Sequence, residues 1–306
     1  MIENKYDEAF RVGNKLNLLT SAREFRSRIY KIFPKSLGRK IKFFYYDRIA
    51  YPINCIKNKL YYGIYDFIDS VGIETTTYCN LRCEFCPNSK YDRGTLKNKK
   101  LMPTWLYKKI IDELAEINYR GRITPFFFGE PLSDKRMPLL VKYTRDKLPK
   151  AKIHLNSNGF LLTVQLYKKL IEAGIDSLRI SQYGTVMPEG VRKVLGYLET
   201  RPEDNKLNYR KFTDNLALSN RGGDVKIKYM WEKPVCTYPE NECNIDYDGN
   251  AVICCADYHS NMSFGNVKDK KLIDIWNSPL YKKTRHELRN YIFKTPMCKK
   301  CNGIID

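Results

Sequence analysis

The strongest chemical signal in this chain is a group of three cysteines whose spacing suits metal binding. Cys79, Cys83 and Cys86 form the pattern C-x3-C-x2-C directly after a β-rich run. Three thiolates on one short loop can hold three irons of a [4Fe–4S] cluster and leave the fourth iron open to an outside ligand, because a closed cluster uses four cysteines. From the residues alone, a zinc site with a fourth ligand from elsewhere and three unrelated buried cysteines remain alternative interpretations.

A second group of cysteines occupies the C-terminal part of the chain. Cys236, Gly249 and Cys254 form C-x12-G-x4-C, and Cys298 and Cys301 close the sequence with C-x2-C. Between them, two short apolar-alternating runs flank Asp-Gly-Asn at 248–250, which is a strong signal for a β-hairpin. The hairpin is expected to bring the first two cysteines of this group near the closing pair.

The elements that must position these thiols alternate between strand and helix. β-rich runs are predicted at 71–78, 122–128, 152–157, 176–182, 206–212 and 225–231, with helices at 103–117, 137–147, 163–173 and 188–199. This alternation indicates βαβ units and a parallel sheet. Five or six units are too few for a closed eight-fold barrel, so an open, partial barrel is expected.

Three parts of the chain differ in composition and in predicted secondary structure. The expected division is a basic, aromatic N-terminal extension over 1–70, a partial α/β barrel of five or six βα units over 71–231, and a small α+β domain over 232–306. Within the extension, Pro34 and Pro52 are predicted to break helices.

Polar residues stand where the predicted parallel strands end. Gly129-Glu130-Pro131 follows the second strand, Asn158 follows the third and Ser181 lies at the end of the fourth. Parallel α/β sheets bind ligands at this edge. Taken alone, each of these residues is equally consistent with an ordinary turn.

These features together resemble the radical S-adenosylmethionine (SAM) superfamily over residues 71–231. The resemblance implies a [4Fe–4S] cluster on Cys79, Cys83 and Cys86, with SAM on the open iron and an aromatic residue, here Phe85, as part of the pattern. It also implies cleavage of SAM to a 5′-deoxyadenosyl radical that abstracts a hydrogen atom from substrate. In such enzymes the cofactors carry the difficult chemistry and the protein positions them.

The strand-end residues take cofactor-binding roles under the same resemblance. Gly129, Glu130 and Pro131 resemble a Gly-Gly-Glu-Pro motif whose first glycine is replaced here by Phe128, and the Glu130 carboxylate is expected to bind the SAM ammonium group. Asn158 and Ser181 are expected to contact the SAM ribose or carboxylate, or the substrate.

The C-terminal cysteines resemble the auxiliary-cluster modules called SPASM and, in shortened form, twitch domains. The resemblance implies a second [4Fe–4S] cluster held by Cys236, Cys254, Cys298 and Cys301, with a four-cysteine zinc site as the alternative. A change of ligand from Cys254 to its neighbour remains open. Two remaining thiols, Cys243 and Cys255, are candidate hydrogen-atom donors, although a spare cysteine is often a small buried apolar residue.

Composition limits the cellular setting and the partners. Ten cysteines in 306 residues are far too few for a disulfide scaffold, so a cytoplasmic protein is expected. No apolar run is long enough to span a bilayer, so no integral membrane association is expected, while a peripheral contact stays open. The net charge of +20 is spread along the chain, and three histidines argue against a histidine-based zinc enzyme.

The expected activity is that of an oxidoreductase or epimerase acting on a carbinol carbon of a sugar, aminocyclitol or glycosidic substrate. This reaction implies an external electron donor such as flavodoxin or ferredoxin. Modification of a ribosomally made peptide, by epimerisation or cross-linking, is the alternative within the family. A zinc-stabilised nucleic-acid-binding protein is the alternative from another class, since basic and aromatic residues can serve as stacking platforms.

Overall fold

The computed structural model describes residues 48–49, 51–212, 219–226, 236 and 238–305. The chain divides into two compact units, 1–57 and 58–306, and the boundary falls within the first helix, α1 (Tyr51–Tyr62). Pro34 and all but the first two residues of the predicted strand at 225–231 lie outside the described ranges. Pro52 lies in the first turn of α1, where its missing N–H has no intrahelical partner to lose. The predicted helix break at Pro52 stays a prediction, because the residues before it lie largely outside the described ranges.

Five parallel strands carry the first part of the sheet, in the order β5-β4-β3-β2-β1. They are β1 (Ser70–Ile73), β2 (Arg122–Thr124), β3 (Lys152–Ser157), β4 (Ser177–Gln182) and β5 (Leu207–Lys211). The helices between them are α2 (Thr104–Glu116), α3 (Met137–Lys147), α4 (Val164–Glu172) and α5 (Glu189–Thr200). The predicted strand–helix alternation and parallel sheet are therefore confirmed.

Local sequence signals account for where these helices begin and end. The Thr163 hydroxyl accepts the Leu166 N–H at 3.0 Å and caps the start of α4. Just after its end, Gly174 adopts a φ of +90°, which a side chain would disfavour. Every residue of β1 is buried, as expected of a strand covered on both faces.

The C-terminal segment continues the same sheet. Its elements are α6 (Tyr238–Asn241), β6 (Glu242–Ile245), β7 (Asn250–Val252), β8 (Ser263–Asn266), α7 (Leu272–Trp276), α8 (Pro279–Arg289) and α9 (Pro296–Cys301). The predicted hairpin is present: β6 and β7 pair antiparallel around Gly249, whose φ is +93°. β6 also pairs in parallel with β1, so eight strands form one sheet in the order β5-β4-β3-β2-β1-β6-β7-β8.

Two apolar clusters support the sheet. One packs β1 and β6 against α2, α7 and α8, with Trp276 and Tyr281 among its largest buried side chains. The other packs β3 and β4 against α3, α4 and α5. The carboxyl ends of β1–β4 are thereby held side by side at one edge. Within the described ranges, no helix is both long enough and apolar enough to cross a membrane.

Candidate active site

The loop between β1 and α2 carries the first three cysteines. None of the ten cysteines of the chain is joined in a disulfide. The Cys86 N–H donates to the Cys83 carbonyl at 2.9 Å, and the Cys79 N–H donates to the Gly94 carbonyl at 3.1 Å. These two bonds fold the loop back on itself, so Cys79, Cys83 and Cys86 lie close enough to influence one another electrostatically.

The thiols of this loop are partly buried, and burial disfavours their charged thiolate form unless a positive charge lies nearby. Burial raises the pKa of Cys79, and burial together with the neighbouring thiols raises the pKa of Cys83 to about 11. A buried thiolate therefore needs a positive charge beside it, which a metal centre supplies. In the described part of the chain, no three His, Cys, Asp or Glu side chains are already arranged in metal-ligand geometry.

Glu130 is buried and its carboxylate holds the strand ends together. One oxygen accepts the Ser157 hydroxyl at 2.6 Å and the Leu132 N–H at 3.1 Å, and the other accepts the Asn158 N–H at 2.9 Å. Burial raises its pKa, while these three donors oppose the shift. In the structure, this carboxylate accepts hydrogen bonds from donors of the protein, and its binding to the SAM ammonium group stays a prediction.

Gly129 stands where two backbone segments nearly touch. A Cβ at this position would collide with the carbonyl oxygen of Thr76, on the segment that leads from β1 into the cysteine loop. The Glu130 N–H donates to the Tyr78 carbonyl at 2.8 Å in the same place. The Gly-Glu-Pro turn is thus packed directly against the start of the cysteine loop.

The ends of β3 and β4 also reach this loop. The Asn158 amide donates to Asn80 at 2.9 Å and lies 4.0 Å from the Cys79 sulfur. Phe85 packs against Tyr183, which follows β4, with ring centroids 4.8 Å apart. Ser181 is buried on β4 and hydrogen-bonds Tyr183. The structure therefore brings the predicted residues of β2, β3 and β4 around one cysteine loop.

An ion pair lies next to the first cysteine loop, and it was not predicted from the sequence. Arg93 donates to Glu74 at 2.5 Å. The Arg93 guanidinium lies 5.0–5.5 Å from the ring centroids of Phe128, Tyr247 and Tyr258. Since these groups come from four distant segments, no local sequence pattern could have identified them.

Three polar residues form a second cluster that sequence reasoning missed. The Tyr91 hydroxyl donates to Asp224 at 3.1 Å, and the His259 Nε2 atom lies 3.7 Å from the same Asp224 oxygen. The Tyr91 and His259 rings meet edge to face at 4.5 Å. Tyr91 follows the first cysteine loop, whereas His259 follows the cysteine pair at 254–255.

The C-terminal cysteines gather around a small apolar cluster. Cys236, Cys254 and Cys298 belong to it, and burial raises the pKa of Cys254 with further contributions from Cys255, Cys236 and Cys298. The Thr295 hydroxyl accepts the Cys298 N–H at 3.2 Å and caps α9, which also carries Cys301. This set of soft thiol donors fits an iron–sulfur cluster or zinc by its chemistry.

The loop at 219–226 joins the two cysteine regions. The Asn220 amide donates to the Lys300 carbonyl of α9 at 2.8 Å. Arg221, Gly222 and Gly223 all adopt a positive φ, which turns the chain sharply against α9. Asp224 then extends to Tyr91, so this loop spans the distance between the first cysteine loop and α9.

The two candidate hydrogen-atom donors occupy different environments. Cys243 lies on β6 inside the apolar core, where burial raises the pKa of its thiol to about 12. This position does not fit the predicted donor role, because an enclosed core thiol has no open path to a substrate. Cys255 is half-buried beside Cys254, and its role stays a prediction.

Comparison with known families assigns both cysteine regions. Residues 73–197 match the Radical SAM superfamily, and residues 236–302 match SPASM, an iron-sulfur cluster-binding domain. The first match contains the C-x3-C-x2-C loop and the ends of β2, β3 and β4. The second contains all four of the predicted C-terminal ligands.

Individual relatives extend the similarity over most of the chain. An S-adenosyl-L-methionine-dependent 2-deoxy-scyllo-inosamine dehydrogenase from Niallia circulans is 30% identical over 237 residues, covering 76% of this chain and 92% of that protein. A tungsten-containing aldehyde ferredoxin oxidoreductase cofactor-modifying protein from Pyrococcus furiosus is 24% identical, covering 75% of this chain and 86% of its own length.

Solved structures agree with the sequence comparison. The crystal structure of BtrN in complex with AdoMet and 2-DOIA has a TM-score of 0.69 at 30% identity, covering 77% of this chain and 93% of that chain. BtrN in an open conformation has a TM-score of 0.60 at 25% identity, covering 77% and 92%. This chain therefore belongs to the radical SAM superfamily and is a SAM-dependent iron–sulfur enzyme with a C-terminal SPASM domain.

Proposed function

We propose that this chain is a radical SAM dehydrogenase that oxidises a carbinol carbon of an aminocyclitol or a similar small polyol. The observation that carries the proposal is the combination of a three-cysteine loop after β1 with the C-terminal cysteines, in a chain aligned with 92% of a SAM-dependent aminocyclitol dehydrogenase. The domain boundaries near 70 and 231 remain part of the proposal.

In this proposal Cys79, Cys83 and Cys86 would hold the first cluster, and Phe85 packs on Tyr183 in the same loop region. When bound there, the reduced cluster supplies the electron that cleaves SAM to a 5′-deoxyadenosyl radical. Asn158 holds the loop through Asn80, and Ser181 supports Tyr183 against Phe85. Gly129, Glu130 and Pro131 bring the end of β2 against the same loop.

The C-terminal thiols take the second role. Cys236, Cys254, Cys298 and Cys301 are proposed to hold a single auxiliary [4Fe–4S] cluster, with Cys255 as an alternative ligand to Cys254 or a hydrogen-atom donor. When bound, that cluster accepts the electron left on the substrate after hydrogen abstraction. The 219–226 loop packs on α9 and fixes its position relative to Tyr91.

A carbinol oxidation also requires a group that accepts a proton. The substrate loses a hydrogen atom from carbon, a proton from oxygen and one electron, and a carbonyl remains. We assign the proton to His259, because its ring contacts Tyr91, which follows the first cysteine loop, and Asp224 lies 3.7 Å from its Nε2 atom. Asp224 would stabilise the imidazolium that forms.

The aminocyclitol dehydrogenase relative, which aligns with 76% of this chain, favours oxidation over epimerisation. An epimerase must return a hydrogen atom to the opposite face of the carbon; of the two candidate donors, Cys243 is enclosed in the core and Cys255 is half-buried. An external electron donor such as flavodoxin or ferredoxin, and a reducing cytoplasmic setting for the ten thiols, complete the proposal.

The test uses anaerobically reconstituted chain, SAM, a reductant and 2-deoxy-scyllo-inosamine. We expect about eight irons per chain, formation of 5′-deoxyadenosine and a ketone product in equal amounts. The Cys79→Ala/Cys83→Ala/Cys86→Ala variant is the matched control and should retain about four irons and no SAM cleavage.

Three results would contradict the proposal. Zinc in place of iron in the C-terminal group would remove the electron acceptor. SAM cleavage without any ketone would leave the family assignment intact but overturn the substrate class. An inverted alcohol in place of a ketone would identify an epimerase.

A further inference from the structure

Three large apolar side chains are exposed between the first cysteine loop and the first turn of α2. Leu96, Leu101 and Trp105 are 69%, 42% and 57% exposed. Single exposed leucines are common, but tryptophan is usually largely buried, and an exposed tryptophan in the same short segment as exposed leucines is typical of an interaction surface. Residues 96–105 are called the rim segment below.

Backbone hydrogen bonds hold the rim segment against the first cysteine loop. The Thr77 N–H donates to the Lys100 carbonyl at 3.1 Å, and the Lys100 N–H donates to the Thr77 hydroxyl oxygen at 2.9 Å. Immediately before the segment, the Gly94 carbonyl accepts the Cys79 N–H at 3.1 Å. The exposed apolar side chains are therefore presented next to the first cysteine loop.

Positive charge predominates on the whole connection from β1 to α2. Residues 74–103 contain three acidic residues and six basic ones, namely Glu74, Glu84 and Asp92 against Arg82, Lys90, Arg93, Lys97, Lys99 and Lys100. Glu74 and Arg93 neutralise each other in an ion pair, so five cations and two acids remain. Lys97 and Lys100 are exposed in the rim segment, and within the described part of the chain neither forms an ion pair.

We propose that the rim segment docks the acidic electron-carrier protein that reduces the first cluster. This inference rests on the proposed function, in which the first cysteine loop holds a cluster that takes an electron from an external donor. One electron leaves the reduced carrier and enters the cluster, and no atom is transferred. Electron transfer between proteins slows steeply as the two redox centres move apart, so the carrier must bind close to this loop.

An acidic carrier accounts for both properties of the rim segment. Its carboxylates pair with the lysines and speed the encounter, while contact with Trp105 and the leucines supplies binding energy. Electron-transfer encounters bury less surface than stable complexes do, which suits a surface formed by one segment. A second copy of the chain would bring two sets of lysines together. A nucleic acid would use the lysines and stack on Trp105 but leave the leucines uncovered.

The test compares an acidic flavodoxin with a small reductant, using the full reconstituted chain. Flavodoxin binding is measured by calorimetry at low and high salt. Formation of 5′-deoxyadenosine from SAM is driven either by reduced flavodoxin or by dithionite. The apolar variant is Leu96→Ser/Trp105→Ser, and the charge variant is Lys97→Gln/Lys100→Gln.

The matched control is Leu280→Ser/Lys282→Gln/Lys283→Gln, which changes an exposed leucine and two exposed lysines on α8. We expect the apolar and charge variants to weaken flavodoxin binding by about tenfold or more, and high salt to weaken binding to the unchanged chain. With limiting flavodoxin, 5′-deoxyadenosine formation should fall in the same proportion. With dithionite, all four proteins should cleave SAM equally, because a small reductant needs no docking surface.

Neither readout depends on the substrate, so absence of a ketone product would contradict the proposed function and leave the docking inference intact. The docking inference is overturned if the unchanged chain does not bind flavodoxin, if both rim variants bind it equally well, or if the control loses binding to the same extent. An equal fall of SAM cleavage with dithionite would show that the rim segment only supports the cysteine loop.

Two further results would assign the rim segment to another occupant. A dimer of the unchanged chain that the apolar variant dissolves would show that a second copy covers it. Binding of an RNA oligomer that the rim variants weaken, without flavodoxin binding, would assign the surface to nucleic acid.

Discussion

The buried Glu130 carboxylate links two strand ends of the sheet through hydrogen bonds. It joins the Leu132 and Asn158 N–H groups and the Ser157 hydroxyl, so it ties the end of β2 to the end of β3. Asn158 in turn reaches Asn80 in the cysteine loop. The acid of the Gly-Glu-Pro turn therefore holds together the edge at which a cofactor is expected.

Glu74 makes the stability of the enzyme depend on pH. Burial raises the pKa of its carboxyl to about 7, although Arg93 and the Tyr247 N–H oppose the shift. The folded chain therefore keeps a proton that the unfolded chain releases, and the free energy of unfolding falls as pH rises from about 4.5 to about 7. We expect a loss of up to about 3 kcal/mol from this group over the window.

Anaerobic urea unfolding near pH 5 and near pH 7 measures this effect. The Glu74→Gln variant should show a shallower decline of the unfolding free energy, because the amide does not titrate. Asp146→Asn, at an exposed position on α3, serves as the control and should keep the original decline. Equal declines in all three proteins would show that Glu74 is not the titrating group.

His259 is the residue at which substrate oxidation and SAM cleavage should separate. Because it is proposed to accept the carbinol proton, His259→Gln should lower ketone formation by about 100-fold or more. Formation of 5′-deoxyadenosine should continue, since the cysteine loop is untouched. His286→Gln, at an exposed position on α8, should leave both products unchanged. A parallel fall in both products would indicate a structural role for His259.

Among the structural elements, the turn after β2 packs closely on the start of the first cysteine loop because Gly129 has no side chain. Gly129 packs on the backbone of Thr76, so Gly129→Ala must push the β2 turn away from the cysteine loop. We expect a fall in Tm and weaker SAM binding by calorimetry. Gly196→Ala on α5, where an added Cβ meets nothing, should instead raise stability by about 0.5–1 kcal/mol. Equal stability of the two variants would show that the turn can adjust freely.

At the scale of the whole molecule, the C-terminal module and the barrel share one sheet. β6 pairs with β1 along its length, so the auxiliary thiols are anchored to the strand that leads into the first cysteine loop. Membership of the radical SAM superfamily also displaces the interpretation of this basic chain as a zinc-stabilised nucleic-acid-binding protein.

Removing two of the proposed auxiliary-cluster ligands should therefore separate SAM cleavage from ketone formation. We expect Cys298→Ala/Cys301→Ala to lose about four irons, to keep SAM cleavage and to lose ketone formation. Iron analysis and product quantification on the same sample measure both effects. Cys55→Ala is the control, since Cys55 lies on α1. Full ketone formation by the double variant would contradict the role of the second cluster.

Features that depend on local spacing could be predicted from the sequence. C-x3-C-x2-C and the closing C-x2-C are short patterns whose chemistry follows from thiol spacing, and both family matches include them. Helix and strand positions also follow from local periodicity, capping and turn residues, so β3 and α3 were predicted to the residue. The hairpin around Gly249 was equally local.

Features that depend on contacts between distant residues could not be predicted from the sequence. The pairing of β6 with β1 is made by main-chain groups, which carry no side-chain signature in sequence. The Glu74–Arg93 pair and the Tyr91–Asp224–His259 cluster join residues up to 168 positions apart, and Cys243 became a core residue because β6 entered the sheet there. Sequence reasoning identifies chemistry that neighbours along the chain can do, whereas burial and cross-chain contacts decide which other residues join it.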